Sequence, residues 1–150
     1  MHGGRVEPLD LVEVERHLDA AIAGEGVRTV VQPIVDLARG QVAGYEALTR
    51  FDLVDGVGPD AWFDVASRAG RAAELEATTL TSALRRRADL PTNCFLTLNV
   101  EPASLAHPAV AGVLAAAGDL RGVVVELTEH RPMDMGRLAP LLRRHRHAGA

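Results

Sequence analysis

The sequence contains few of the features that mark secreted or membrane-bound proteins. Its 150 residues include a single cysteine, Cys94, which excludes an internal disulfide and favours a reducing compartment. No apolar run approaches the ~20 residues that a membrane helix needs. Residues 1–10, MHGGRVEPLD, lack the apolar core of a signal peptide. We therefore expect a cytoplasmic protein without a membrane segment.

Excess positive charge is also absent. The net charge is −4, which argues against binding to nucleic acid polymers or to anionic membranes. The basic segment 84–90, LRRRADL, has no interleaved aromatic residues for base stacking, so we interpret it as a solvated helix end. The segment 143–150, RRHRHAGA, is better explained by cations that complement a helix dipole than by a histidine metal pair.

The chain has the composition of one globular domain, with 47% apolar and 24% charged residues. Strand-like segments alternate with helix-like ones, which predicts an α/β fold with a mainly parallel sheet. The short turn between the first two strands favours antiparallel pairing of these two. The predicted helices cover residues 10–24, 61–70, 72–90, 107–118 and 135–150, and the predicted strands cover 29–37, 42–48, 94–100 and 122–130.

Local signals add detail to this prediction. Asp10 and Glu13 have the spacing of a capping box, and Asp60 is a suitable N-cap for the second helix. The run Val123–Val125 predicts a fourth strand that is buried on both faces.

Polar residues recur at the ends of the apolar strands. Glu46 ends the second strand, Asn99 the third, and Glu126 and Glu129 the fourth. In parallel barrels this edge carries the active site, and oxygen ligands of this kind suit Mg²⁺ or Mn²⁺. Arg50 could then neutralise an anionic substrate such as a phosphate.

Each of these residues also has an ordinary structural explanation. Glu46 alone could be solvated, Asn99 could cap a turn, and the two later glutamates could face solvent on a loop. Their coincidence at three successive strand ends favours the functional interpretation. Cys94 is better explained as a buried inert thiol, and Trp62 and Phe63 as core residues.

Several segments together resemble the EAL domain family, which is named for its Glu-Ala-Leu motif. The segment 30–51, VVQPIVDLARGQVAGYEALTRF, is similar to the opening of that domain, with Glu46, Ala47 and Leu48 as the motif. FLTLNVEPASL is similar to the family's strand with the asparagine, and VVVELTEH to its Glu-x-Thr-Glu strand. The resemblance covers roughly residues 27–150.

The resemblance implies a modified (βα)₈ TIM-type barrel with an antiparallel first strand, of which this chain carries the N-terminal half. Residues 1–26 would then be a helical lead-in, and residues 27–150 the front of the domain. The implied activity is hydrolysis of cyclic di-GMP to linear pGpG with two Mg²⁺ or Mn²⁺ ions. The implied roles are metal binding by Glu46, Asn99 and Glu126, catalysis by Glu46 with Glu129 steadying a loop, and nucleotide contacts by Gln32, Leu48 and Arg50.

The sequence departs from the family pattern in two ways. Glu101 stands where the family usually has a small polar residue, which adds negative charge near the phosphates. The family's later motifs would fall after residue 150, so we expect no useful hydrolysis by these residues alone. A degenerate module that binds cyclic di-GMP or a protein partner is the first alternative, and an unrelated divalent-metal α/β hydrolase is the second. Self-association, or fusion to sensory or diguanylate-cyclase domains, is compatible both with a phosphodiesterase and with a non-catalytic binding module.

Overall fold

A computed structural model describes residues 8–128 and, beyond them, residues 139, 140, 143, 146 and 149. The described part contains one four-stranded sheet and four α-helices, which alternate as predicted. The predicted helix over 135–150 lies mostly outside the described residues. The elements are α1 (Pro8–Ile22), β1 (Val27–Asp36), β2 (Gln41–Phe51), α2 (Pro59–Arg68), α3 (Ala72–Arg86), β3 (Phe95–Val100), α4 (Pro108–Ala116) and β4 (Val123–Leu127), with 3₁₀ turns at Arg87–Asp89 and Pro102–Ser104.

The strand directions agree with the sequence prediction. The sheet order is β1-β2-β3-β4, with β1 antiparallel to β2 and both later pairs parallel. The Asp36 carboxylate stabilises the β1–β2 turn, because its Oδ1 accepts the backbone N–H groups of Ala38 at 2.9 Å and Arg39 at 3.2 Å. Gly40 closes the turn at a φ of +63°, a conformation that strains other residues.

No helix in residues 8–128 is long and apolar enough to cross a membrane.

The helix starts differ from the prediction, because prolines rather than aspartates open the helices. Pro8 begins α1, so Asp10 lies in the first turn and the predicted capping box is wrong. Pro59 begins α2 after the N-cap Gly58, which likewise places Asp60 inside the helix. Proline suits the first helical position because its φ is already helical and its missing N–H would have no partner. The start of α4 carries a side-chain cap that the sequence analysis missed, where His107 Nδ1 accepts the Ala109 N–H at 3.2 Å.

The main core lies between one face of the sheet and the helices α3 and α4. Val123 on β4 is only 2% exposed, whereas its neighbour Val124 is 42% exposed. The prediction that β4 is buried on both faces is therefore wrong for the described residues, since these helices cover only one face. Cys94 is half-buried rather than buried, and its Sγ contacts the Val42 carbonyl at 3.6 Å.

A second core joins α1 and α2 to the end of β2. Trp62 is fully buried and stacks on Phe51 with the ring centroids 4.8 Å apart. Phe63 meets the same Phe51 ring edge-on at 6.2 Å and also lines a cleft described below. The placement of Trp62 confirms its interpretation as a core residue.

Truncation of the core should be costly. Leu96 on β3 is 1% exposed in the main core, so Leu96→Ala should lower the free energy of unfolding by about 2–5 kcal/mol. Leu37, in the β1–β2 turn, is 91% exposed, and Leu37→Ala should change it by less than about 0.5 kcal/mol. Urea unfolding followed by the fluorescence of the single tryptophan measures both. Equal losses in the two variants would contradict this description of the core.

The chain of 150 residues should self-associate when it is studied alone. In the described part, β4 pairs with β3 only, and the open face of the sheet exposes Val124. Four strands do not close a barrel, and an open apolar edge can pair with another chain. Light scattering at increasing concentration measures this tendency. A dispersed monomer that melts cooperatively would contradict the expectation.

Candidate metal and nucleotide site

The candidate ligands lie on the face of the sheet that the described helices α3 and α4 do not cover. Glu46 lies in the middle of β2 rather than at its end, so the prediction that it ends this strand is wrong. Glu46 on β2 pairs in register with Gln32 on β1 and with Thr97 on β3, and Asn99 pairs with Glu126 on β4. Residues paired across neighbouring strands project to the same face of a sheet. The alternate residues of β3, including Leu96, face the helices instead. Register therefore places Gln32, Glu46, Asn99 and Glu126 on one surface.

Glu46 and Asn99 are in direct contact. Asn99 Nδ2 donates a hydrogen bond to Glu46 Oε1 at 3.0 Å. An amide that donates through its nitrogen keeps its carbonyl oxygen free as an acceptor or ligand. Glu46 is half-buried, whereas Asn99 and Glu126 are exposed. This face of the sheet thus carries the carboxylates of Glu46 and Glu126 and the carboxamide of Asn99. Neither carboxylate forms an ion pair among the described residues.

The donor chemistry of this group fits a hard divalent cation. Carboxylate and amide oxygens are the ligands that Mg²⁺ and Mn²⁺ prefer. Within residues 8–128, no three His, Cys, Asp or Glu side chains form a metal cluster. The described residues therefore fit part of a coordination shell.

A cleft of about 440 Å³ lies beside these oxygen donors. Arg50, near the end of β2, is among its lining residues, and its Nη1 donates to the Thr49 carbonyl at 2.8 Å. No carboxylate in the described part of the chain forms an ion pair with Arg50. The cleft is lined by Ala47, Leu48, Thr49, Arg50, Pro59, Asp60, Phe63, Ala72, Glu76, Thr79, Leu80, Ala83, Leu98, Asn99, Glu101 and Thr128.

The predicted nucleotide contacts differ in their position relative to this cleft. Leu48 and Arg50 line it from the second half of β2. Gln32 is exposed on β1 opposite Glu46 but does not line the cleft. Glu129, the predicted loop residue, lies outside the described residues.

Glu76 on α3 lines the cleft but was missed by the sequence analysis. It is 6% exposed, and its Oε1 accepts the Glu101 backbone N–H at 2.7 Å. Burial raises the pKa of the Glu76 carboxyl. Hydrogen bonds from the Ser104 side chain and from the Glu101 backbone amide lower this pKa and partly offset the rise. A usable signal was present, because Glu76 shares the buried helical face with Thr79, Leu80 and Ala83 at helical spacing.

The fold and the site together define an α/β domain of the barrel type with an oxygen-rich edge. The first strand pair is antiparallel, the later strands are parallel, and Asn99 and Glu126 lie next to the ends of the parallel strands β3 and β4. The profile of the EAL domain family matches residues 15–150. The chain belongs to this family.

Known relatives agree with this assignment. A probable cyclic di-GMP phosphodiesterase of Escherichia coli K12, PdeB, is 28% identical over 142 residues, which cover 88% of this chain and 28% of the relative. BlrP1 of Klebsiella pneumoniae, in a complex with manganese and cyclic di-GMP, is 29% identical with a TM-score of 0.67, over 84% of this chain and 33% of that protein. An EAL domain protein of Listeria monocytogenes, 15% identical, has the same fold with a TM-score of 0.74 over 92% of this chain and 56% of that protein. The chain thus spans less than a third of the curated relative, about a third of the BlrP1 chain and slightly more than half of the Listeria protein.

Proposed function

We propose that the protein is a cyclic di-GMP phosphodiesterase whose site is completed by residues beyond those described. The observation that carries this proposal is the Glu46–Asn99 contact, with Glu126 in register beside it and Arg50 in the adjoining cleft. The relatives support the substrate, since one is named as a probable phosphodiesterase for it and another binds it together with manganese.

In this proposal Glu46, Asn99 and Glu126 would hold Mg²⁺ or Mn²⁺. Such ions, when bound, polarise a phosphate oxygen and lower the pKa of a water molecule. Arg50 would bind the phosphate through charge-assisted hydrogen bonds. Leu48 would contact a base at the wall of the cleft, Gln32 would contact the nucleotide from β1, and Glu129 would steady a neighbouring loop.

A non-catalytic module that binds cyclic di-GMP or a protein partner is the second candidate. Two observations favour it: the described residues supply only three candidate ligands, and Glu101 adds a carboxylate to the lining of the cleft. Repulsion between Glu101 and phosphate would weaken binding of the substrate.

The deciding experiment compares residues 1–150 alone with the same residues followed by the second half of an EAL domain. Each is incubated with cyclic di-GMP and Mn²⁺, and pGpG is sought by chromatography. We expect turnover by the longer chain and none by residues 1–150. Comparable turnover by both would refute the incomplete-site argument. A folded, metal-loaded longer chain that binds without turnover would favour the second candidate.

A further inference from the structure

Glu76 is a buried carboxylate whose presence in an apolar helix face needs a physical reason. Only 6% of it is exposed, and the residues that share its helix face pack in the main core. Burying a carboxylate is costly unless hydrogen bonds compensate for the lost water. Within the described part of the chain, Glu76 Oε2 has no hydrogen-bond partner, so the compensation comes mainly through Oε1.

The compensating contact is with the backbone that follows β3. Glu76 Oε1 accepts the Glu101 N–H at 2.7 Å, across 25 residues of sequence. Glu101 lies just beyond the last residue of the strand, Val100, and just before the 3₁₀ turn Pro102–Ser104. Glu76 therefore links α3, through a hydrogen bond, to the backbone N–H of Glu101, the first residue after β3.

The Asn99 side chain projects from the same backbone segment. Asn99 stands two residues before Glu101, and its Nδ2 already donates to Glu46 at 3.0 Å. The remaining amide oxygen is available to a ligand only while the end of the strand stays in place. A small displacement of this backbone would break the contact with Glu46 or turn the oxygen away.

We propose that Glu76 is a positioning residue that fixes the end of β3 and thereby keeps the Asn99 carboxamide available to a divalent cation. This inference rests on the function proposed above, because it assigns Glu76 to the same metal site. Residues that orient metal ligands commonly change metal affinity by about 10–100-fold when they are replaced.

Mn²⁺ binding to a chain that carries the complete EAL domain, followed by electron paramagnetic resonance, tests the proposal. Glu76→Leu should weaken binding about 10-fold or more. Glu76→Gln should stay within about 3-fold of the wild type, because its amide oxygen can accept the same N–H. Hydrogen exchange measured by mass spectrometry over residues 99–105, without metal, should accelerate in Glu76→Leu and not in Glu76→Gln.

Thr81→Val is the matched control. Thr81 lies further along α3, is half-buried, does not line the cleft, and donates its hydroxyl to the Ala77 carbonyl at 2.8 Å within the helix. This variant should retain the affinity for Mn²⁺. If Glu76→Leu does not fold, Glu76→Asp, which is one methylene too short for the Glu101 amide, replaces it with the same expected loss.

The possible failures are distinguishable. Wild-type binding with unchanged affinity in Glu76→Leu would overturn the positioning role and leave the proposed function standing. Equal losses in the leucine and glutamine variants, or in Thr81→Val, would also overturn that role. A wild-type chain that does not bind Mn²⁺ would overturn the proposed metal site and this inference with it.

Discussion

Glu46→Gln is expected to abolish phosphodiesterase turnover in a chain that carries the complete EAL domain. Glutamine preserves an acceptor for Asn99 Nδ2 but removes the negative charge that would hold a divalent cation. Loss of that charge should cost at least about 4 kcal/mol of transition-state stabilisation, which is about 1,000-fold in rate. Single-turnover assays at saturating Mn²⁺, together with Mn²⁺ titration, measure the loss.

Glu25→Gln provides the control for the loss of one negative charge. Glu25 is exposed in the turn between α1 and β1 and is not among the residues that line the cleft. The turnover rate of the Glu25→Gln enzyme should remain within about 2-fold of the wild-type rate, since exposed charges act weakly through water. A folded Glu46→Gln enzyme with more than a tenth of wild-type turnover would refute the role of Glu46 as a ligand.

Arg50→Ala should weaken the binding of cyclic di-GMP by about 10- to 100-fold. The Arg50 guanidinium lines the cleft and forms no ion pair with a described carboxylate, so it can meet a phosphate. Hydrogen bonds to charged groups contribute about 1.5–3 kcal/mol each, which corresponds to this range. Calorimetric titration with Ca²⁺ in place of Mn²⁺ measures the affinity while limiting turnover.

Arg28→Ala is a closely matched control for this variant. Arg28 pairs in register with Arg50 across β1 and β2, but its Nε is bound to Asp52 Oδ2 at 2.7 Å. Replacement of Arg28 should change the affinity for cyclic di-GMP by less than about 2-fold. Loss of the exposed Arg28–Asp52 pair should also change the stability of the fold little. If Arg50→Ala only lowered the melting temperature and left the affinity unchanged, Arg50 would be a structural residue.

The strands and their directions could be predicted because they depend on local information. The short, polar segment between β1 and β2 permits only an antiparallel return, and helices between the later strands require parallel crossovers. The positions of Asn99 and Glu126 next to the ends of β3 and β4 followed from the same reasoning, whereas the prediction that Glu46 ends its strand was wrong, because β2 continues to Phe51. The family resemblance added roles to these residues that their spacing alone left open.

Other features depended on contacts that local patterns do not contain. The three consecutive valines of β4 predicted burial on both faces, yet Val124 is 42% exposed because the described helices cover only one side. Aspartates marked plausible helix caps at Asp10 and Asp60, but the prolines at the first helical positions set the actual starts.

The sequence by itself determined the alternation of strands and helices, the direction of each strand and the polar character of the strand ends, because hydrophobic period and loop length specify them. Only the tertiary structure decided that Asn99 donates to Glu46 across 53 residues and that Glu76 holds the Glu101 amide. These contacts depend on strand register and on the seating of α3 against the sheet, which packing of the whole core fixes.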